Sequence, residues 1–249
     1  MQGGALQSCR ALVTGAGRGL GRGIAIALAA AGAEAVLVSR SEGELAETAA
    51  EIEAHGGSAS WQTCDVTDLA AVADLVAELP PLDVLVNNAG ANAPQPFCEV
   101  EPETFDRLVG LNLRATYFAT QAVVRRMVEA GEGGAIVNVS SQMGHVGAPN
   151  RTVYCATKHA VEGLTKALAV ELAPHRIRVN SVAPSFVATP MTEPFFADEA
   201  FRADVIGRIP LGRLGSIEEV ASAVVHLASP SASFITGASL LVDGGYTAQ

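Results

Sequence analysis

Four side chains carry the chemistry that this sequence offers. Ser140 and Ser141 follow an apolar run, Ala135-Ile-Val-Asn-Val139, and Tyr154 and Lys158 stand four residues apart in Tyr154-Cys-Ala-Thr-Lys158. On a helix, residues at i and i+4 lie on one face. A phenol has a pKa of about 10 in water. A fixed cation one turn away favours the phenolate and lowers that value. The pair therefore predicts a phenol able to give and take a proton near neutral pH. The run before Ser141 reads as a buried strand. A hydroxyl at the carboxyl end of such a strand faces the crevice where open α/β sheets bind ligands. Hydroxyl, tunable phenol and cation are expected to form one site. By itself the Tyr-x-x-x-Lys spacing also fits a solvent-facing helix, so the surrounding elements decide.

Those elements begin with a strand, residues 10–14, that runs into Gly15-Ala-Gly-Arg-Gly-Leu-Gly21. A helix rich in Ala, Ile and Leu follows to about Ala31, and Gly32 ends it. Glycines let the backbone approach a pyrophosphate, and the helix N-terminus adds N–H groups and positive dipole. Gly15, Gly19 and Gly21 give GxxxGxG rather than the standard GxGxxG fingerprint, with Arg18 and Leu20 inside the turn. A second strand, residues 35–39, ends in Ser39-Arg40. An acid at that tip commonly holds the ribose 2′-hydroxyl of NAD, and none stands here. Arg40, helped by Arg18, is expected to pair with a 2′-phosphate instead, since guanidinium matches phosphate in a fork. NADP(H) is favoured and NAD(H) stays open. Glu42 and Glu44 belong to the first turn of the next helix, where acids suit the dipole.

The alternation continues to the end of the chain. Residues 42–55 are helical and 58–64 form a third strand closed by Asp65-Val66. Asp65 is placed to accept from an adenine amino group, whereas Asp68 reads as a helix cap. After the helix at 68–78, Pro80-Pro81 leads into a fourth strand, 82–86, and then Asn87-Asn-Ala-Gly90. Asn88, Ala89 and Gly90 can line a cofactor, while Asn side chains can equally tie a central turn together. Residues 102–130 read as one long helix. Asn112, between Leu111 and Leu113, needs partners there. A water site at a kink or a helix–helix bond would supply them. The Tyr154 helix runs over 152–172, and a sixth strand over 177–183 is stopped by Pro184. The segment 185–215 is expected to be a substrate lid with one or two short helices. Ser216-x-x-Glu219 is a capping box, and a last strand covers 239–243. No break in composition interrupts this pattern. It predicts a single doubly wound α/β domain with a parallel sheet of about seven strands.

Composition excludes several roles. The formal net charge of −10 argues against nucleic acid, whose binders show a basic face. No apolar run reaches membrane-span length, and no charged-then-apolar leader is visible. Hydrophobic residues are 49% and aromatics 5%, which suits a core of small aliphatic side chains. Charged residues, at 17%, fall below the usual figure of about 25%, consistent with surface buried between subunits. Cys9, Cys64, Cys98 and Cys155 lack metal spacing and are expected to be free thiols in a reducing cytoplasm.

Together these residues resemble the short-chain dehydrogenases/reductases. The matching pieces are TGAGRGLG at 14–21, Asp65-Val66, NNAG at 87–90, Asn112, Ser141, Tyr154, Lys158, NSVAP at 180–184 and VDGG at 242–245. Their order and spacing carry the likeness over nearly the whole chain. The resemblance implies a Rossmann-like fold, a nicotinamide cofactor and a homotetramer, or at least a homodimer. It implies that Tyr154 exchanges the substrate proton and Ser141 polarises the carbonyl. Lys158 binds the nicotinamide ribose and acidifies Tyr154, and Asn112 holds a water linking Lys158 to solvent. Val187 and Thr189 match residues on the carboxamide and phosphate side of the cofactor, next to Pro184. Ser185 departs from the glycine usual after that proline.

The expected reaction is hydride transfer between NADP(H) and a secondary alcohol or ketone. The loop 142–150 should line the substrate pocket, where Gln142, His145 and Asn150 could bond hydroxyls and Arg151 a carboxylate. That favours a sugar acid or polyol. A 3-oxoacyl thioester on an acidic carrier protein is the alternative, against which Glu129, Glu132 and the negative charge count. A non-catalytic dinucleotide sensor on the same fold is a second.

Overall fold

The computed structural model describes residues 4–189 and 192–249. Seven strands form one sheet, and every neighbouring pair is parallel. In chain order they are β1 (Arg10–Thr14), β2 (Glu34–Ser39), β3 (Ser58–Thr63), β4 (Val84–Asn87), β5 (Gly134–Val139), β6 (Ile177–Pro184) and β7 (Ser239–Val242). Their order across the sheet is β3-β2-β1-β4-β5-β6-β7. The chain winds outward from β1 to β3, then returns to the centre and winds the other way from β4. The reversal between β1 and β4 opens a crevice at the carboxyl ends, the usual ligand position in such sheets. Because all strands run one way, the segments after each strand gather at that same edge.

Helices cover both faces. They are α1 (Gly19–Ala30), α2 (Glu42–Ala54), α3 (Leu69–Glu78), α4 (Pro102–Val109), α5 (Thr116–Ala130), α6 (Thr152–Leu172), α7 (Glu193–Phe196), α8 (Glu199–Gly207) and α9 (Ile217–Ala228). A strand covered on both sides must be apolar on both, and alternate residues feed two cores. Val13, Val84, Val86 and Val137 pack with Ile24 and Leu28 of α1 and Val220 and Val224 of α9. Leu12, Leu85 and Ile136 pack on the opposite face with Val72 of α3, Val123 of α5 and Ala169 of α6.

The long helix expected over 102–130 is two helices joined by a π-helical turn, Gly110–Ala115. The inserted turn carries Asn112 inward, and π insertions of this kind often sit at functional sites. Asp68 caps α3 by accepting from the Ala70 and Ala71 N–H groups at 3.1 Å. Ser216 and Glu219 form the expected capping box on α9. The segment 185–215 contains α7 and α8, and its residues 190 and 191 lie outside the described residues. Its two ends are clamped together, Val187 pairing with Gly215 in a short parallel bridge.

Candidate active site

The glycine turn is built by backbone geometry. Gly15 (φ 67°) and Gly19 (φ 57°) occupy the left-handed region that side chains disfavour. Gly21 is needed for space, because a Cβ there would sit 2.0 Å from the Gly15 carbonyl oxygen. Arg18 is the N-cap residue of α1, and Leu20 lies in the first turn. Asn88 ties this turn to β4. Its Nδ2 donates to the Thr14 and Gly15 carbonyls at 2.9 and 3.2 Å, and the N–H groups of Asn88 and Ala89 both donate to Thr14 Oγ1. The asparagine pair is thus structural in its side chains. Asn87 completes a buried relay with Thr120, Asn138 and Thr165 across β4, β5 and two helices.

The other expected cofactor residues line the same edge. Ser39 ends β2, and Arg40 follows with its side chain 78% exposed, 3.9 Å from Asp65. Asp65 accepts from the Thr67 N–H and hydroxyl, and those bonds hold its carboxyl below the usual range. Val66 is buried beside it. Arg18, also exposed, reaches Glu44 at 3.6 Å. So Glu44 stands in the first turn of α2, as expected, and also faces the guanidinium of the glycine turn. At the far side, Pro184 ends β6, Val187 is buried and the Thr189 N–H donates to Thr192 Oγ1. Ser185 donates its N–H to the Val242 carbonyl and needs no left-handed backbone, so this departure from the family pattern leaves the loop unstrained.

The four residues expected to carry the chemistry come from three elements. Ser141 follows β5, and its Oγ accepts from the Met143 N–H at 3.1 Å and bonds the Tyr154 phenol. Tyr154 and Lys158 lie one turn apart on α6, which begins at Thr152. The Lys158 Nζ donates to the Val139 carbonyl at 2.8 Å and sits 5.6 Å from the Tyr154 ring centre. Asn112 uses its whole amide. Its Oδ1 accepts from the Ala91 N–H, and its Nδ2 donates to the Ala91 carbonyl and to Thr157 Oγ1 on α6. The bond to Thr157 is a helix–helix bond, one of the two kinds of partner expected for this amide. Gly90 closes the gap, since a Cβ there would lie 3.3 Å from Asn112 Oδ1 and 3.9 Å from Lys158 Nζ.

The electrostatics correct one expectation. Burial pushes the Tyr154 phenol up to about 12, outweighing the Ser141 hydrogen bond that pulls it down. Burial also draws the Lys158 ammonium down to about 8, against the opposing charge of Glu162. In this geometry desolvation outweighs both the Ser141 hydrogen bond and the Arg151 charge, and the phenol rests protonated. That is the form that donates a proton to a carbonyl.

The loop between Ser141 and Tyr154 is polar, as expected. Gln142 is buried with its Oε1 unpartnered among the described residues. Asn150 adopts φ 58°, a left-handed turn that Asn tolerates, immediately before α6. Arg151 follows, half-buried, and burial lowers its pKa. His145 Nε2 bonds Ser239 Oγ at 2.9 Å and lies 3.4 Å from Glu162. Two residues of the loop after β4 escaped the sequence reading. Asn92 Oδ1 and Gln95 Oε1 are buried without partners among the described residues, and the Gln95 N–H donates to the Asn150 carbonyl. Their signal was a pair of amides just past a strand's carboxyl end, beyond the four-residue motif. A third omission is Glu162, four residues past Lys158 on the inward face of α6.

A doubly wound sheet, a glycine turn at its first helix and a Ser–Tyr–Lys cluster at its switch edge define a nicotinamide-dependent oxidoreductase. A family model described as enoyl-(acyl carrier protein) reductase matches residues 15–247. The chain is 43% identical to the L-xylulose reductase of Bos taurus over 239 residues, 96% of both chains. It is 42% identical to the gluconate 5-dehydrogenase of Gluconobacter oxydans over 98% of this chain and 96% of the relative. Among solved structures, a gluconate 5-dehydrogenase from Burkholderia cenocepacia in complex with NADP and tartrate superposes with a TM-score of 0.94 at 35% identity, covering 98% of this chain and 97% of that one. The chain belongs to the short-chain dehydrogenase/reductase family, and it is an enzyme of CH–OH oxidation and carbonyl reduction.

Proposed function

We infer that this enzyme interconverts a secondary alcohol and a ketone on a hydroxylated substrate, a sugar acid or polyol, using NADP(H). The observation that carries the substrate class is the set of loop amides after β4 and β5 that would wall the pocket: Asn92 Oδ1, Gln95 Oε1 and Gln142 Oε1 are each buried and unpartnered among the described residues. Unpaired buried acceptors cost free energy that a substrate's hydroxyl donors offset. Asn150 and Arg151 extend this wall, and Arg151 supplies the positive charge for a carboxylate. Names of the relatives point the same way, toward xylulose and gluconate.

Tyr154 passes the proton and Ser141 orients the carbonyl. Lys158 holds the nicotinamide ribose, and Asn112 holds a water that connects Lys158 to solvent. The cofactor, when bound, supplies the hydride. Gly15, Arg18, Gly19, Leu20 and Gly21 would hold its pyrophosphate, Asp65 and Val66 its adenine, and Arg18 and Arg40 its 2′-phosphate. The neighbouring structure holds NADP, which supports that reading. Asn88, Ala89 and Gly90 would border its ribose side, with Ser39 at the adenine ribose, and Pro184, Val187 and Thr189 would border its carboxamide. The segment 185–215 serves as the lid over the substrate. Phe186 at its base meets Phe196, Phe201 and Tyr246 in an aromatic cluster, with ring centres 6.1 to 6.3 Å from that of Phe186.

A carrier-bound acyl substrate is disfavoured by the exposed Glu129 and Glu132 and the net charge of −10. Exposed Phe105, Tyr117 and Val170 on one flank, with Phe234, Leu240 and Leu241 beside the β7 edge, support assembly as a homotetramer. Four free cysteines suit the cytoplasm, and no described helix is long and apolar enough to cross a membrane.

The test is nicotinamide absorbance against keto sugar acids, polyols, cyclic ketones and 3-oxoacyl thioesters, with both cofactors. Turnover of sugar acids or polyols with NADP(H) is expected. Turnover of thioesters alone would reject the substrate class, and turnover only with NADH would reject the cofactor reading.

A further inference from the structure

Beneath the catalytic pair lies a buried carboxylate that the mechanism above does not use. Glu162 is 5% exposed on α6, one turn beyond Lys158. Its Oε2 accepts from Ser181 Oγ of β6 at 2.8 Å. Its Oε1 has no hydrogen-bond partner among the described residues and faces His145 Nε2 at 3.4 Å. His145 in turn bonds Ser239 of β7. Gly144 is wedged into this cluster, where a Cβ would lie 3.0 Å from both Glu162 Cγ and Ser140 Oγ and 3.1 Å from the Lys158 carbonyl. The turn that follows Ser141 is therefore packed directly against the Glu162 side chain.

A buried charge is costly unless something nearby needs it. Of the described groups around Glu162, Ser140, Ser181 and Ser239 are neutral. The titratable neighbours are Lys158 on its own helix and His145 across from it. Lys158 is buried too, bonded by its ammonium to one carbonyl. Alone, such an ammonium would shed its proton more readily.

We propose that Glu162 is a positioning residue for the reaction: its carboxylate keeps Lys158 protonated and, through Ser181 and His145, seats the Ser141 turn on β6 and β7. The proposal rests on the dehydrogenase reading, in which Lys158 serves Tyr154. In its support, Glu162 is the group that opposes the burial-driven fall of Lys158.

Lys158 and Lys166 are the only lysines in the chain, so protein made with 13Cε-labelled lysine gives two resonances. Lys166 is exposed and serves as the internal reference. The Lys158 midpoint is followed by NMR against pH in the full-length protein with NADPH bound and without it. Glu162→Gln keeps the length of the side chain and an acceptor for Ser181 but removes the charge. It is expected to lower the Lys158 midpoint by about one pH unit or more while Lys166 stays in place. Glu162→Asp, which keeps the charge, is expected to restore most of that shift. In turnover, Glu162→Gln should lower kcat by about tenfold above the new midpoint and leave KM and NADPH affinity little changed. An unmoved Lys158 midpoint in a folded Glu162→Gln protein overturns the proposal. Should that variant fail to fold, Glu162→Met removes the charge with no amide to satisfy. Failure of both would make the role purely structural and also overturn it. A shifted midpoint in a protein that turns nothing over would reject the dehydrogenase reading and leave the Glu162–Lys158 coupling standing.

Discussion

The β1–α1 turn and the β5–α6 crossing use the same edge of the same sheet in opposite ways. At the first, the chemistry belongs to the backbone: Gly15 and Gly19 take left-handed angles, Gly21 lets the turn close on itself, and the Asn88 side chain only braces its carbonyls. Such a surface suits an anion, which needs N–H groups and space. At the second, the chemistry belongs to side chains, and the protein surrounds them. Lys158 is buried, Ser141 is buried, and the phenol and ammonium are both shifted by that burial. Binding a charged cofactor calls for an open, pre-shaped backbone, whereas proton transfer calls for groups held dry at set distances. Changes in the first region should therefore act on cofactor affinity, and changes in the second on turnover.

The sharpest way to break this contrast is Tyr154→Phe. It should reduce kcat by about a hundred- to ten-thousand-fold while NADPH binding, followed by fluorescence, stays within a few-fold of wild type. Retained activity would falsify the assignment of the proton to Tyr154. Next comes Gly21→Ala, whose methyl would meet the Gly15 carbonyl oxygen. We expect a loss of about 1–3 kcal/mol in stability by thermal or urea unfolding, together with weaker cofactor binding. An unchanged Kd for NADPH would mean that the turn does not hold the pyrophosphate.

Asn112 ties the loop after β4 to α6, so its replacement should loosen the support of the second region. Asn112→Ala strips partners from Ala91 and Thr157 and should cost about 1–3 kcal/mol. Urea denaturation measures the loss, and a stability equal to wild type would show that other groups take over those bonds. The pH dependence sharpens the side-chain half. Lys158 is charged below about 8 and Tyr154 stays protonated to about 12. Ketone reduction at saturating NADPH should hold steady below pH 8 and fall above it, by up to about tenfold per unit. A rate that stays level to pH 10 would show that the Lys158 charge is not needed. The smallest expected effect is Arg40→Asp. It should shift the NADPH/NADH ratio of kcat/KM by about tenfold toward NADH and leave kcat alone. A constant ratio would move the phosphate to Arg18 or elsewhere.

Much of this was legible in the residues. Apolar runs at the strands, glycine stops and two helix caps placed the elements to within a residue or two, because each is a local preference of a short stretch. α6 was readable to its ends, since Asn150-Arg151 and the Leu172–Arg176 turn bound a continuous helical pattern. The π-helical turn was not legible, because Gly110–Ala115 departs from an α-helix only in its i→i+5 bonding, where Asn112 meets Ala91 and α6. Asn92 and Gln95 gave no motif. They matter only because their loop docks on Asn150, far along the chain.

By itself, then, the sequence determined the seven-stranded doubly wound domain, the glycine turn and the Asn112, Ser141, Tyr154 and Lys158 set, all of which rest on residue type and spacing. Only the tertiary structure decided how those groups are charged. Burial raises the phenol and lowers the ammonium, and the packing brings His145 to within 3.4 Å of the Glu162 carboxylate. Desolvation is a property of everything packed around a group, and no spacing along one chain records it.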